Sequence, residues 1–295
     1  MTKIPFSYDE FTTRNIGFVS ETEQQVLKTS CVFVCGTGGM GGAAVLALAR
    51  AGVGHLILAD VDEFEISNLN RQVFAFDHSV GRHKAEATAE QLRTINPEIR
   101  VDVYKQDWHG ESERLISSSG VTINGTDDLS ASLLLYRTAR EAGRPIVDAY
   151  ASPLPSIYVT RPGEQMPEER LRYPTIGKNW QVIDEHDRAK SFQCEALHVL
   201  IHSSSRHHID LDAAGEVAAG RRSRMSFAPM VMTTGMLMAY ETIALLLDRK
   251  TGADNRGWFF NPYRPAVERP KPVLLEIALR PIVRRVLDRM MSEDS

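Results

Sequence analysis

The segment from Cys31 to Asp60, CVFVCGTGGMGGAAVLALARAGVGHLILAD, decides the fold. It opens with a short β-branched, apolar run that is typical of a buried parallel strand. A glycine cluster follows, then an alanine-rich stretch that ends at Gly52 and predicts a helix, and then the apolar run HLILAD. A strand, a glycine turn, a helix and a second strand in this order predict a right-handed βαβ unit.

The alternation of strands and helices continues to about residue 150. Ser20 and Glu23 have the spacing of a capping box, which predicts a short helix from there to about Lys28. The predicted strands downstream are IRVDVYKQ (99–106), VTING (121–125) and RPIVDAY (144–150), and the predicted helices are GRHKAEATAEQLRTIN (81–96) and DLSASLLLYRTAREAG (128–143). This pattern predicts an α/β fold with a Rossmann-like, doubly wound, mostly parallel sheet.

The second half of the chain is less regular, and we expect it to pack on the first. The sequence predicts an exposed strand in PLPSIYVTRPG (153–163), a long crossover or lid over 162–195, and a buried helix over 226–248. It also predicts short strands near Trp258–Phe260 and Val273–Leu279, and an amphipathic helix in ALRPIVRRVLDRMM (278–291). We therefore divide the chain into an N-terminal helical arm (1–30), a nucleotide-binding α/β domain (31–150) and a substrate-binding and dimerisation portion (151–295).

Composition narrows the class of protein and its partners. The chain has 295 residues, is 43% hydrophobic and 24% charged, and carries a net charge of -4, which is ordinary for a globular protein. This mild acidity argues against nucleic acid as a partner. Glu241 inside the apolar stretch 226–248 argues against a membrane span. Three cysteines without a CxxC pair predict no disulfide framework and no zinc site, and the start of the chain has no apolar secretory signal, so a reducing cytoplasm is expected.

The glycine cluster carries the first chemical signal. Gly36, Gly38, Gly39 and Gly41 form a GxGxxG motif between the first strand and the helix, where backbone N–H groups approach phosphates. Asp60 ends the second strand, where a carboxylate accepts ribose hydroxyls. This pattern fits NAD, FAD and ATP equally well, and it predicts a nucleotide site without choosing among them.

Further motifs are more specific. Asp60-Val61-Asp62-Glu63-Phe64 leads into Ser67-Asn68-Leu69-Asn70-Arg71-Gln72 and then Val80-Gly81-Arg82-His83-Lys84-Ala85. Ile95-Asn96-Pro97 and Gly125-Thr126-Asp127-Asp128 follow, and Arg14-Asn15-Ile16-Gly17 precedes them all. Over residues 14–150 this set resembles the ThiF/MoeB/E1-like superfamily of ATP-dependent adenylating enzymes, and a weaker match over 221–247 is similar to its later helix.

The resemblance implies roles for individual residues. Arg71 and Lys84 would hold the ATP triphosphate, Asn68 would help to position it, and Asp127 would bind Mg²⁺ together with the phosphates. Asp60 and Asp62 would complete the nucleotide site. Arg14 matches a residue that family members offer to the partner subunit's ATP, which implies a homodimer. Arg71, Lys84, Asp127 and Arg14 would thus be the catalytic set.

Structural alternatives exist for several of these residues. Arg71, Lys84 and Arg14 could be exposed surface charges. Asp127 or Asp128 could simply cap the following helix, and Asp127 could be both cap and metal ligand. Elsewhere, Cys194 is favoured as a packing residue over a thioester-forming nucleophile. The histidines at 198, 202, 207 and 208 lack a zinc-enzyme spacing, and Arg221, Arg222 and Arg224 could bind a substrate carboxylate or form a charged loop.

The absence of CxxC pairs directs the functional prediction to compact, zinc-free members of the superfamily. We predict Mg²⁺- and ATP-dependent adenylylation of a carboxylate on a peptide or small protein, in peptide or antibiotic maturation that could include side-chain cyclisation. The alternatives are a tRNA-modifying dehydratase of the same superfamily, an NAD- or FAD-dependent oxidoreductase, and a non-catalytic nucleotide-binding protein.

Overall fold

All strands in the described part of the chain lie in one sheet. The computed structural model describes residues 4–291; the first three residues, which belong to the segment used to argue against a secretory signal, and the last four lie outside the described residues. The strands are β1 (Cys31–Cys35), β2 (His55–Ala59), β3 (Arg100–Tyr104), β4 (Val121–Asn124), β5 (Ile146–Asp148), β6 (Ser156–Thr160), β7 (Trp258–Asn261) and β8 (Ala266–Glu268). Their order across the sheet is β3-β2-β1-β4-β5-β6-β7-β8.

The first five strands form the parallel part of the sheet. β1 pairs in parallel with β2 on one side and β4 on the other, so the strand order reverses between β1 and β4. β6, β7 and β8 extend the sheet as antiparallel strands. The predicted Rossmann-like, mostly parallel α/β fold is therefore confirmed.

Helices cover both faces of the sheet. They are α1 (Tyr8–Thr12), α2 (Glu21–Thr29), α3 (Gly39–Arg50), α4 (Lys84–Ile95), α5 (Trp108–Ser117), α6 (Leu129–Glu141), α7 (Pro167–Leu171), α8 (Glu185–His202), α9 (Leu211–Ala218), α10 (Ala228–Leu246) and α11 (Val273–Met291). Apolar residues of α3, α4 and α10 share one buried cluster with β1, β2 and β4, and those of α5 and α6 form a second cluster that includes residues from the opposite side of β1 and β2. The capping box of Ser20 and Glu23 is present at the start of α2, as predicted.

Four departures from the prediction stand out, three in the second half of the chain and one in the first. β6 was expected to be exposed, but all of its residues are buried because β5 and β7 pair with it on either side. The expected crossover over 162–195 contains α7 and the first part of α8. Val273–Leu279 is the first part of α11 rather than a strand. Finally, α5 had no counterpart in the sequence prediction.

The predicted helix over 226–248 is α10. By length and composition it is the one helix in the described part of the chain that could cross a membrane. It packs tightly on α3, because a Cβ on Gly235 would lie 2.4 Å from the carbonyl oxygen of Met40. Glu241 is buried on it and accepts a hydrogen bond from the Gly252 N–H at 3.0 Å. Tyr240 remains exposed, so α10 is buried on one face and not all round.

Candidate active site

A single large cleft opens where the strand order reverses. The carboxyl ends of β1, β2, β4 and β5 border it, which is where doubly wound folds bind their ligands. Its volume is about 1870 Å³. Drug-sized ligands typically occupy about 300–1,000 Å³. The cleft therefore has room for a nucleotide and a second substrate together.

Two glycines allow the ends of β1 and β4 to touch. Gly36 has a φ of +88°, and a Cβ on it would lie 2.4 Å from the carbonyl carbon of Gly125. A Cβ on Gly41 would lie 1.9 Å from the carbonyl oxygen of Gly36. Real Cβ atoms cannot approach backbone this closely, so the two strand ends meet backbone to backbone and only glycine fits.

The other two glycines of the motif differ from each other. A Cβ on Gly39 would lie 2.4 Å from Cγ1 of Val231 on α10, whereas one on Gly38 would meet only the Gln72 side chain, at 3.3 Å. Gly38 is the N-cap of α3 and provides no side-chain cap, so the first N–H groups of the helix point toward the cleft. Sequence reasoning assigned all four glycines to phosphate approach. The structure gives Gly36, Gly39 and Gly41 a packing role as well.

Asp60 fixes the glycine loop. Its Oδ2 accepts hydrogen bonds from the backbone N–H of Thr37 at 2.7 Å and from the Thr37 hydroxyl at 2.9 Å. Its Oδ1 accepts the Asp62 N–H at 3.0 Å. The carboxylate is buried but borders the cleft, and carboxylate oxygens accept more than one donor each. Asp60 therefore shapes the loop and keeps acceptor capacity for a ribose hydroxyl.

The predicted cations border the same cleft. Lys84 is the first residue of α4, and its Nζ lies 2.9 Å from Oδ2 of Asp62, whose side chain is 62% exposed. Arg71 donates from Nη1 to the Ser67 carbonyl at 2.7 Å and to Oδ1 of Asn70 at 2.9 Å. Neither acceptor of Arg71 is a carboxylate, so its charge is not neutralised by an ion pair with any residue that the structure describes.

Asn68 stabilises the turn around Ser67 that precedes Arg71. It is buried, and its Oδ1 accepts the Glu65 N–H at 3.1 Å. Its amide donates to the Ser67 hydroxyl at 3.3 Å, next to the Arg71 contact. Asn68 also borders the cleft, so it both holds the turn and faces the predicted nucleotide position.

The structure separates the two aspartates that the sequence could not tell apart. Asp128 is the N-cap of α6, accepts the Ala131 N–H at 2.7 Å and pairs with Arg188 at 2.5 Å. Asp127 does not cap the helix, which corrects that alternative. It is exposed to the cleft and has no hydrogen bond or ion pair within residues 4–291. One open carboxylate fits Mg²⁺ held mainly by phosphate oxygens. In the same range, no group of three His, Cys, Asp or Glu side chains could hold a metal alone.

Arg14 is not brought to the other predicted residues. It is exposed in the turn Thr13–Asn15 and does not border the cleft. Asn15 donates to the carbonyl of Ala51 at 3.2 Å, just past the C-terminal end of α3. A helix of this length extends about 18 Å. Arg14 therefore lies near the far end of α3, and the glycine loop lies at its N-terminus.

The far half of the cleft has apolar walls. They come from helices of the second half, with the small or apolar residues Phe192, Val199, Leu200, Leu211, Ala214, Val217, Leu287 and Met290. Arg224 lies over the Phe192 ring at 4.9 Å, so one of the three arginines singled out in the sequence borders the cleft. Arg206 and His208 border it as well, so this half combines apolar walls with basic side chains.

Sequence reasoning missed a polar group in the middle of the cleft. Asn124, Tyr136, Asp148, Tyr173 and Glu195 border it there. Burial raises the pKa of Asp148 to about 7 and also raises the pKa of Glu195. Asn124 and Asp148 each end a buried strand, a position that was recognised as functional only for Asp60. Glu195 gave no signal, because its α8 context shows neither a motif nor a clear periodicity.

Cys194, His198 and His202 have structural roles, whereas His208 borders the cleft. Cys194 is half-buried on α8, and burial raises its pKa, which makes a poor nucleophile. His198 is buried against Tyr150 and Tyr158. His202 accepts the Lys271 N–H at 3.0 Å. Both histidines thus have packing or hydrogen-bonding roles in the second half of the chain.

The fold and the cleft define a doubly wound α/β protein of the nucleotide-binding type. A model of the ThiF family matches residues 12–274, and the chain belongs to that family.

Comparison with known proteins shows that this chain is similar to an adenylyltransferase and to a dehydratase. The sulfur carrier protein ThiS adenylyltransferase of Escherichia coli is 33% identical over 129 residues, which cover 43% of this chain and 51% of that protein. The tRNA threonylcarbamoyladenosine dehydratase of Bacillus subtilis is 31% identical over 139 residues, covering 46% and 55%. The chain thus spans about half the length of the curated relatives it matches. The crystal structure of Escherichia coli MccB with ATP has a TM-score of 0.65 at 18% identity, covering 92% of this chain and 75% of that one, which shows a shared fold.

Proposed function

We propose that this protein adenylylates a carboxylate on a peptide or small protein, using ATP and Mg²⁺. The observation that supports this most is the lining of one cleft. The glycine loop, Arg71, Lys84 and the unpaired carboxylate of Asp127 all border it. The family and its relative that adenylylates the sulfur carrier ThiS support the same reaction class.

The charges in the cleft suit this reaction. A substrate carboxylate attacks the α-phosphorus of ATP, the bond to the pyrophosphate oxygen breaks, and pyrophosphate leaves with the bond electrons. Two anions must meet, and negative charge grows on the leaving group, so fixed cations lower the barrier most. Arg71 has no carboxylate partner in the described chain, and Lys84 is held in place by Asp62. Both are therefore positioned to neutralise phosphate oxygens.

Asp127 would hold Mg²⁺ with the phosphates. Mg²⁺ prefers one or two carboxylates plus phosphate and water oxygens. Asp127 offers an open carboxylate, while Asp128 is occupied by the α6 cap and Arg188. When bound, the metal would neutralise developing charge on the phosphate oxygens.

The second half of the chain would bind the carboxylate substrate. Its apolar walls continue the cleft away from the glycine loop, and the volume exceeds what one nucleotide needs. A surface that combines apolar walls with basic side chains suits a peptide segment. The reaction would belong to peptide maturation in the cytoplasm. It would lead to a side-chain cyclised peptide or to a peptide antibiotic.

The active unit would be a homodimer. Arg14 lies near the far end of α3 from its own glycine loop, exposed and outside the cleft. Any nucleotide that Arg14 contacts would therefore be bound by a neighbouring subunit, and residues 151–295 would provide both the substrate surface and part of the dimer contact.

A tRNA substrate is the alternative within the family, because the dehydratase of Bacillus subtilis is also a relative. The net charge of -4 favours a peptide, since binding to nucleic acid depends on neutralising its phosphates with lysine and arginine. Hydride transfer to or from NAD or FAD gives Arg71 and Lys84 no role.

The first experiment is calorimetric titration of the wild type and Asp127→Asn with Mg·ATP, NADH and FAD. We expect Mg·ATP alone to bind, and the substitution to weaken it while circular dichroism stays unchanged. Screening peptides and unmodified tRNA for pyrophosphate release then identifies the substrate class. Tight binding of NADH or FAD, unaffected by Asp127→Asn, would contradict the proposal.

A further inference from the structure

The polar group in the middle of the cleft has an unsatisfied acceptor. Asn124 is 3% exposed, and its Nδ2 donates to the Ser132 hydroxyl at 3.1 Å and to the Tyr136 hydroxyl at 3.2 Å. Its Oδ1 is fully buried and accepts no hydrogen bond. A buried amide oxygen without a donor is costly unless a ligand or a water supplies one.

The orientation of this amide follows from the number of hydrogens available. Ser132 has one hydroxyl hydrogen and donates it to the Asp128 carbonyl at 2.9 Å. Tyr136 has one as well and donates it to Oδ2 of Asp148. Both hydroxyl oxygens must therefore accept from Asn124, which turns the NH₂ group toward them and leaves Oδ1 as an acceptor only.

The two carboxyl groups beside Asn124 are also acceptors. Oδ1 of Asp148 accepts the Ala149 N–H at 2.7 Å, and Oε1 of Glu195 accepts the Tyr173 hydroxyl at 2.6 Å. Oε2 of Glu195 has no hydrogen-bond donor among the described residues. Burial is the main reason why the pKa of Asp148 is raised, and the nearby charge of Glu195 raises it further.

Nearby arginines do not neutralise these groups directly. Arg170 donates to the Tyr150 hydroxyl at 2.7 Å and lies behind the cleft wall. Arg224 lies exposed over Phe192, and Arg188 pairs with Asp128. Neither Asp148 nor Glu195 forms a salt bridge within the described part of the chain. Above the pKa of Asp148, which is about 7, the middle of the cleft thus presents acceptors and negative charge, flanked by tyrosine rings.

We propose that Asn124, Asp148 and Glu195 form a subsite for an ammonium group of the substrate. This proposal rests on the proposed function and names a feature of its substrate: a peptide that carries a lysine side chain or a free amino end close to the carboxylate to be activated. An ammonium group has three N–H donors and no acceptor, which matches three acceptor groups. Tyrosine rings also favour a cation.

The test compares small probes of similar size with and without an amino group. Nα-acetyl-lysinamide carries a side-chain ammonium, norleucinamide carries a free α-amino group that is about half protonated at pH 8, and Nα-acetyl-norleucinamide carries neither. Binding is measured at pH 8 by ligand-detected NMR on the full chain, with Mg·ATP titrated separately. We expect at least one ammonium probe to bind the wild type about tenfold or more tightly than the neutral probe, since hydrogen bonds to charged groups are worth about 1.5–3 kcal/mol.

The two ammonium probes distinguish a lysine side chain from an amino end as the source. Asp148→Asn and Glu195→Gln are expected to remove the preference for the charged probe. Glu185→Gln, which removes an exposed carboxylate from the same helix as Glu195, is expected to keep it.

Equal binding of charged and neutral probes by the wild type would overturn the proposal without any variant. An ammonium preference that survives in both cleft variants would overturn it as well. Failure of the wild type to bind Mg·ATP would contradict the proposed function, and it is read independently of the probes.

Discussion

At the scale of single residues, the described side chains divide into those that sequence motifs identify and those that only the tertiary structure brings together. Arg71, Lys84 and Asp127 were recognisable because a motif surrounds each of them, and all three border one cleft. Asp148 and Glu195 are far apart in sequence and meet only after β5 and α8 are in place. Local sequence spacing therefore cannot predict that these two carboxyl groups lie close together.

Asp148 should give the stability of the protein a measurable pH dependence. Its pKa is about 7 in the folded chain and 3.8 for an unperturbed side chain, because burial disfavours the charged form. The folded state therefore holds the proton more tightly, and the free energy of unfolding falls as pH rises from about 4 to about 7. Each unit of pKa difference is worth about 1.4 kcal/mol.

Asp148→Asn removes this titration. We expect the stability of the variant relative to the wild type to increase between pH 4 and pH 7 in urea unfolding curves. Taking the difference between the two proteins cancels the titration of groups that do not interact with Asp148, such as His202, whose pKa burial lowers to about 4. Glu195 raises the pKa of Asp148 and is part of the measured effect. A constant difference across this pH range would show that Asp148 is ionised throughout.

At the scale of elements, the βαβ segment was predictable because short-range information determines it. Apolar runs, glycines and a capping box specify β1, α3, β2 and α2 without help from distant residues. β6 was predicted to be exposed because its burial depends on pairing with β7, about a hundred residues later. The sequence predicts a strand at the start of α11 because Val273–Leu279 is rich in aliphatic residues, yet α11 is continuous from Val273 to Met291 and contains Pro281.

The contact between α3 and the β1 turn should not tolerate a methyl group. Gly41→Ala places a Cβ 1.9 Å from the Gly36 carbonyl oxygen. We expect a loss of about 3 kcal/mol or more in unfolding free energy, as for other substitutions that force packed backbone apart.

Gly110→Ala is the matched control, because Gly110 also lies in a helix but a Cβ there meets nothing within 4 Å. It should leave stability unchanged or raise it by up to about 1 kcal/mol through helix propensity. Equal effects of the two substitutions, measured by thermal or urea unfolding, would argue against the close contact.

At the scale of the whole molecule, the arrangement of Arg14 predicts that sites are shared between subunits. If Arg14 acts on the partner's nucleotide, Arg14→Ala and Lys84→Met weaken Mg·ATP binding when each variant is measured alone. In a mixture exchanged at equal amounts, half of the dimers are mixed and one of their two sites is intact. About a quarter of all sites should then regain wild-type affinity for a two-fold symmetric dimer.

Calorimetric stoichiometry measures this recovery. A mixture of Lys84→Met and Asp127→Asn is the control, because both residues border the cleft of one chain and every mixed site keeps one defect. Two results would contradict a shared site and leave Arg14 as a surface residue. One is recovery of wild-type sites in the control mixture. The other is no recovery in the Arg14 mixture although light scattering shows a dimer.

The bonds between Thr37 and Asp60 have a consequence for how fast and how tightly a nucleotide is captured. They hold the glycine loop through contacts that lie entirely within the protein. The loop therefore enters the encounter preorganised, and little conformational entropy is lost when phosphates arrive. Nucleotide association should therefore follow a single kinetic phase, without a slow rearrangement of the protein. The glycine loop acts as a rigid template, and only the nucleotide changes its conformation on binding.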